Sequence, residues 1–180
     1  MSNNNINKLK KEIFMFDSLK RKLGMKEKEE ILYAPMIGRT VSLFDVKDPT
    51  FNQEMLGKGV AMIPTEGEVV APVNGVIEMV FDTKHAISIT SDTGIQILIH
   101  VGIDTVSLKG APFKAYVRSG QHVRKGDLLL EFNIDTIKKS GLDPITPIVI
   151  CNSYAYEKIS ACIGKNVNTN DKILVLKKGK

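Results

Sequence analysis

His85 and His100 are two of only three histidines in a chain of 180 residues. They sit at the outer ends of two alternating runs, 85–90 and 95–100, joined by Ser91-Asp92-Thr93-Gly94. Four residues of that type make a hairpin loop, with Gly94 able to take φ > 0. If Thr90 opposes Ile95, then Ile87 meets Leu98 and His85 meets His100. Side chains alternate between faces along a strand. One face then carries His85, Ile87, Ile89, Gln96, Leu98 and His100, and the other Ala86, Ser88, Thr90, Ile95, Ile97 and Ile99. Directly opposed residues have Cβ atoms ~5 Å apart, so the two imidazoles become neighbours. A slip of one residue would send them to opposite faces.

Two adjacent imidazoles have three uses. A neutral imidazole is a nucleophile that accepts a phosphoryl group on nitrogen, and a second one beside it can donate a hydrogen bond to the developing charge. Two histidines also begin a zinc site, which needs three or four ligands. The third reading is a cross-strand pair with no chemistry, and the pattern alone leaves it open.

The elements that must position this pair read as strands. From Ile31 onward, short Val/Ile-rich runs (76–81, 85–90, 95–101, 128–132, 145–150) are broken by Pro72, Asn74-Gly75, Gly110, Gly120, Gly126 and Pro144. Strands with turn signals every 8–12 residues predict an all-β, antiparallel sandwich. Only 135–140 and 155–160 have the makings of short helices. No internal repeat is present.

Composition bounds the rest. With 43% hydrophobic and 25% charged residues the chain has the balance of a globular domain. No run reaches the ~18 apolar residues of a membrane-spanning helix, and no secretory apolar region stands at the N-terminus. Of the net +5, residues 1–30 hold +3 (eight Lys and Arg against five Asp and Glu) and residues 171–180 another +3, which leaves −1 between them. A nearly neutral body argues against nucleic acid as a partner. Residues 1–30 therefore read as a flexible basic tail ahead of a domain over 31–180. Ile6, Leu9, Ile13, Phe16, Leu19 and Leu23 share one side of a helix, so residues 6–23 suit peripheral contact with an anionic membrane. Cys151 and Cys162 make no disulfide framework, which points to a reducing cytoplasm, and they read as buried structural thiols.

The segment 94–106, Gly-Ile-Gln-Ile-Leu-Ile-His-Val-Gly-Ile-Asp-Thr-Val, resembles the signature of the glucose-type IIA domain of the bacterial phosphoenolpyruvate-dependent sugar phosphotransferase system. Thr83-Lys84-His85-Ala86 resembles that family's second-histidine segment. Gly57-x-Gly59, Ala71-Pro72-Val73-Asn74-Gly75, Leu108-Lys109-Gly110, the run from Gly120 to Asp127, and Thr146-Pro147 follow in family order. The resemblance covers essentially the whole body. It implies a β-sandwich with a shallow, apolar-rimmed depression. It implies that His100 is phosphorylated on Nε2 by the phosphocarrier protein HPr and passes the group to a IIB domain of a sugar permease. It also implies that His85 stabilises the phosphoryl group, that Thr83 orients His85, and that the Gly102 carbonyl holds the Nδ1 proton of His100. Asp48 and Asp104 match acidic residues where basic partners dock, and Phe51, Met55, Leu56, Phe81, Leu98 and Val106 match the hydrophobic rim. His122 falls where the family tolerates a basic residue and reads as a surface strand position. The implied protein is a monomeric phosphoryl-transfer intermediate in the cytoplasm or at the inner membrane face. It needs no cofactor, with zinc on His85 and His100 as a secondary expectation.

Two rivals stand beside this reading. The glycine framework also echoes lipoyl and biotinyl carrier domains, which would place a prosthetic arm on Lys84; against it, the body is about twice that fold's usual length. A zinc-binding regulatory or hydrolase-like β domain would need a third protein ligand, and the sequence offers no His-x-His pair.

Overall fold

Alternating apolar positions dictate the architecture of the computed structural model, which describes residues 29–179. The readings made for residues 1–28, the tail and its amphipathic stripe at 6–23, lie outside the described residues.

Among the described residues fourteen strands form three sheets, and every pairing is antiparallel. The large sheet has eight strands. Its order is β13 (Asn166–Val167), β2 (Gly38–Val41), β3 (Lys58–Pro64), β11 (Thr146–Ile150), β7 (Gln96–His100), β6 (Ala86–Ser91), β5 (Gly75–Val80) and β9 (His122–Val123). One small sheet runs β1 (Glu29–Tyr33), β14 (Lys172–Lys178), β12 (Tyr156–Ala161). The other runs β4 (Glu68–Val70), β10 (Leu128–Phe132), β8 (Phe113–Ala115). The chain is the antiparallel β-sandwich that the strand pattern predicts.

The period of two splits the large sheet's side chains between two apolar clusters. Val60, Met62, Ile87, Ile89, Ile97, Ile99, Ile148 and Ile150 join Leu32, Leu129, Leu130, Leu174 and Leu176 in the main core. Burying one such side chain contributes roughly 1.5–3 kcal/mol. The intervening residues face the other way. There Ala61 and Val149 join Leu43, Val46, Phe51, Ile103 and Ile145 in a smaller cluster, with Val41 and Leu98 packed against it. The second cluster is the floor of the site described below.

Among the described residues two short α-helices interrupt the strands. α1 (Pro49–Asn52) starts at Asp48, whose Oδ1 accepts the Thr50 N–H at 2.7 Å, with Pro49 in the first turn where it lacks no needed donor. α2 (Ile134–Lys139) is capped by Asn133, with Asp135 in its first turn and Lys138 and Lys139 in its last, both favourable to the helix dipole. It covers the predicted 135–140 except for Ser140, which is its C-terminal cap. The second expected helix, 155–160, is a strand instead. A 3-10 turn at Ser153–Ala155 leads into β12, an edge strand paired with β14, and Ile159 packs against the main core. Tertiary pairing decides this short stretch, and Tyr156 and Ile159 suit it.

The β6–β7 hairpin departs from the expected register. Ser91, not Thr90, faces Ile95: the Ser91 N–H donates to the Ile95 carbonyl at 2.8 Å, and the Ser91 Oγ accepts the Ile95 N–H at 2.8 Å. The loop is therefore three residues, Asp92-Thr93-Gly94, with Gly94 at φ +92 as three-residue loops of this kind require. The ladder pairs Ala86 with His100, Ser88 with Leu98 and Thr90 with Gln96. Ile87 and Ile89 belong with Ile97 and Ile99 on the core face, and His100 lies on the face of Leu98.

Candidate active site

By strand alternation alone this register would separate the two histidines. They meet nonetheless, because His85 precedes β6. Lys84 adopts φ +57, in a turn closed by its N–H to the Phe81 carbonyl at 2.7 Å. The pleat no longer governs where His85 points. One backbone bond, from the Val101 N–H to the His85 carbonyl at 2.7 Å, carries the pairing one step past the strands. The ring centroids of His85 and His100 lie 4.8 Å apart, with the planes at 81°. The expected neighbours are neighbours, but through a turn at the open end of the hairpin rather than through cross-strand opposition.

Each ring has one nitrogen already engaged. His100 Nδ1 is 2.8 Å from the Gly102 carbonyl oxygen. A carbonyl only accepts, so Nδ1 carries the proton and the lone pair of neutral His100 is on Nε2. His85 Nδ1 is 2.5 Å from Thr83 Oγ1. Phe51 packs on His100 at 5.1 Å between centroids, and Phe81 stands edge-on to His85 at 5.5 Å.

Burial lowers the basicity of both rings. His85 is only 7% exposed, and desolvation, followed by the nearby His100, pushes its pKa down to about 4. His100 is also held below the usual histidine value by desolvation. The Gly102 carbonyl and the carboxylates of Asp48 and Asp104 act in the opposite direction without reversing it. Both imidazoles are neutral near pH 7, as an attacking nitrogen must be.

Of the expected rim residues, Met55 and Val106 are more than half exposed, Leu56 is exposed, and Leu98 and Phe81 are half-buried. Phe51 is not at the rim; it is 4% exposed and forms part of the floor under His100. Asp48 is the cap of α1, and exposed Asp104 takes the left-handed conformation at φ 58 just before the 3-10 turn Thr105–Leu108. Lys84, the rival attachment point, is an exposed turn residue beside His85. His122 lies on the surface in β9, 3.1 Å from Asp92. Neither cysteine is a buried thiol as expected: Cys151 is exposed and Cys162 half-buried, and both are free. Sequence reasoning missed fully buried Thr105 and exposed Phe44. A threonine five residues after a histidine gives a local hint, whereas nothing in sequence marks Phe44 as exposed.

Among the described residues no group of three or more His, Cys, Asp or Glu could hold a metal ion. A zinc ion on His85 and His100 would need its remaining ligands from elsewhere. No described helix is long and apolar enough to cross a membrane.

Comparison with known proteins bears on the same residues. Residues 30–156 match the family model described as phosphoenolpyruvate-dependent sugar phosphotransferase system, EIIA 1. The chain is 46% identical over 142 residues to a PTS system glucose-specific EIIA component of Bacillus cereus, covering 79% of this chain and 86% of that protein. It is 47% identical over 127 residues to a beta-glucoside-specific EIIBCA component of Bacillus subtilis, covering 71% of this chain but only 21% of that longer protein. Among solved structures, glucose permease IIA from Mycoplasma capricolum superimposes with a TM-score of 0.78 at 34% identity, covering 83% of this chain and 97% of that one. A β-sandwich with two neutral histidines at the end of one hairpin thus coincides with a family match over most of its length, and the chain belongs to the EIIA 1 family of the phosphoenolpyruvate-dependent sugar phosphotransferase system.

Proposed function

We propose that Nε2 of His100 is the phosphoryl acceptor of this phosphocarrier, that HPr supplies the group and that a IIB cysteine removes it. The observation that carries this reading is the Nδ1–H of His100 committed to the Gly102 carbonyl, which leaves Nε2 as the nucleophile. In the first transfer the Nε2 lone pair attacks phosphorus. The N–P bond of phosphorylated HPr breaks as the new one forms, and the leaving imidazole takes back its electron pair. In the second, a deprotonated cysteine of IIB attacks, and the His100–phosphorus bond breaks in turn. If Thr83 donates its hydroxyl proton to Nδ1 of His85, Nε2 of His85 keeps its own proton. That N–H then steadies the phosphoryl oxygens during both steps. No cofactor enters either transfer.

Docking without a deep pocket suits a carrier that must release each partner. Met55, Leu56 and Val106 offer exposed apolar contacts, and Asp48 and Asp104 offer negative charge to basic partner side chains. The protein works in the cytoplasm, and residues 6–23 bring it to the inner membrane face near its permease. The beta-glucoside relative carries B, C and A parts in a single chain, which supports IIB as the downstream partner. Incubation with phosphoenolpyruvate, enzyme I and HPr tests the central step. The chain should gain one phosphoryl group, labile in acid and stable in base, and the His100→Gln protein should gain none. Full phosphorylation of His100→Gln would overturn the assignment.

A further inference from the structure

The nucleophilic nitrogen of His100 is free only as long as the Gly102 carbonyl points at Nδ1. What fixes that carbonyl is visible in three consecutive peptide units. The unit joining His100 to Val101 is pinned by its N–H, which donates to the His85 carbonyl at 2.7 Å. The unit joining Gly102 to Ile103 is pinned at both ends: its carbonyl accepts from His100 Nδ1, and its N–H donates to the Asp143 carbonyl at 2.9 Å. Between them, the unit joining Val101 to Gly102 is pinned by its carbonyl, which accepts a 2.6 Å hydrogen bond from the Thr105 hydroxyl.

The outer pins join backbone to backbone, apart from the His100 ring itself. The middle pin depends on a side chain, and Thr105 is 0% exposed, so no solvent hydroxyl stands ready to replace it. The threonine methyl acts at the same place. Gly102 sits at φ +74, and a Cβ built there would lie 2.4 Å from Thr105 Cγ2 and 3.0 Å from the Asp143 carbonyl oxygen. The hydroxyl thus holds the peptide beside Gly102, the one residue whose carbonyl sets the tautomer of His100, while the methyl fills the space that any Cβ there would need. Gly102 is otherwise a freely rotating position.

We infer that Thr105 is a positioning residue for the phosphoryl-transfer step: its buried hydroxyl fixes the Val101–Gly102 peptide, and through it the Gly102 carbonyl that keeps the proton of His100 on Nδ1. The inference rests on the reading of His100 as acceptor only for its kinetic consequence; the tautomer consequence stands by itself.

Two variants and two readouts test it. Thr105→Val keeps shape and removes the hydroxyl, whereas Thr105→Ser keeps the hydroxyl and removes the methyl. Long-range proton–nitrogen NMR correlations of 15N-labelled, unphosphorylated full-length protein at pH 7.5 report which ring nitrogen of His100 is protonated. The parent and Thr105→Ser should show a single Nδ1–H form, and Thr105→Val a mixture with Nε2–H. Phosphorylation of Thr105→Val by HPr should slow about tenfold, the scale of one lost buried hydrogen bond, and Thr105→Ser should stay near the parent rate. An unmoved tautomer and unchanged rate in a folded Thr105→Val overturn the inference. So does Thr105→Ser with a mixed tautomer, which also decides the case if Thr105→Val does not fold. If the parent chain took no phosphoryl group, the reading of His100 as acceptor would fail, and the tautomer result would still decide the role of Thr105.

Discussion

In the proposed mechanism His85 and His100 divide the labour between two neutral rings, and each role predicts a different defect. The His85→Gln protein should still accept a phosphoryl group, since the nucleophile remains. It should pass the group to IIB about a hundredfold more slowly, the scale expected when one preorganised donor to a charged transition state is lost. Rapid-quench transfer assays with labelled protein measure this, and transfer at the parent rate would remove His85 from the mechanism. The depressed basicity of His85 has a second signature. Its pKa falls from 6.5 to about 4 on folding, so between those values the unfolded chain holds the extra proton. Stability is then fully present above pH 6.5 and is lost as pH falls toward 4. Urea midpoints across that range should drop less steeply for His85→Gln than for the parent; parallel curves would contradict the cause given. At this scale the sequence was informative where chemistry depends on residue type. Two histidines, a nearby Thr83 and the signature around His100 are legible in one dimension. The floor position of Phe51 and the peptide pin of Thr105 are not, because each depends on where another segment lies.

The β6–β7 hairpin shows what is legible about an element and what is not. Its two alternating runs and turn residues announce it, but the register turns on one bond. Ser91 uses its side chain to accept the Ile95 N–H, which shortens the loop to three residues and shifts every pair by one. Loop composition does not distinguish three residues from four. Had His85 lain inside the strand, the shift would have parted the two rings; the left-handed turn at Lys84 spares the site from the register. Gly94 is the loop position that requires positive φ and has nothing within 4 Å of a built Cβ. Gly94→Ala should therefore cost about 1 kcal/mol from backbone conformation alone. Phosphorylation of His100, at the other end of the hairpin, should be unaffected. A large loss of phosphorylation at full folding would mean that the loop reaches the site by a route the hairpin does not supply. Gly59 in β3 is limited by space rather than by conformation: a Cβ there would lie 2.0 Å from the Ile148 carbonyl oxygen, which accounts for glycine at one position of the Gly57-x-Gly59 pair.

The molecule as a whole separates chemistry from connection. The all-β class was readable from strand spacing and turn residues, whereas the three-sheet arrangement depends on long-range pairings that no local pattern encodes. The basic N-terminal stretch sets a prediction at this scale. With +3 concentrated in residues 1–30 and each basic residue contributing ~1 kcal/mol at best near an anionic surface, association should be reversible and weakened by salt. Circular dichroism of a 1–30 peptide should gain helix with anionic vesicles and not with neutral ones; no gain would reduce the segment to a passive tail. The body begins and ends at neighbouring points. β1 pairs with β14, Glu29 opposite Lys177, and the Glu30 carboxylate ties this corner together by bonding Lys178 at 2.8 Å, Thr93 at 3.0 Å and Tyr156 at 3.1 Å. Thr93 is in the closed loop of the hairpin whose open end bears the two histidines, roughly 20 Å away at ~3.4 Å per residue. Chain therefore enters and leaves the domain through one corner, remote from the two histidines. Such a body can be spliced into a longer polypeptide on two linkers without obstructing its own exchange of phosphate. A linker of suitable reach then raises the local concentration of a tethered partner without adding a contact.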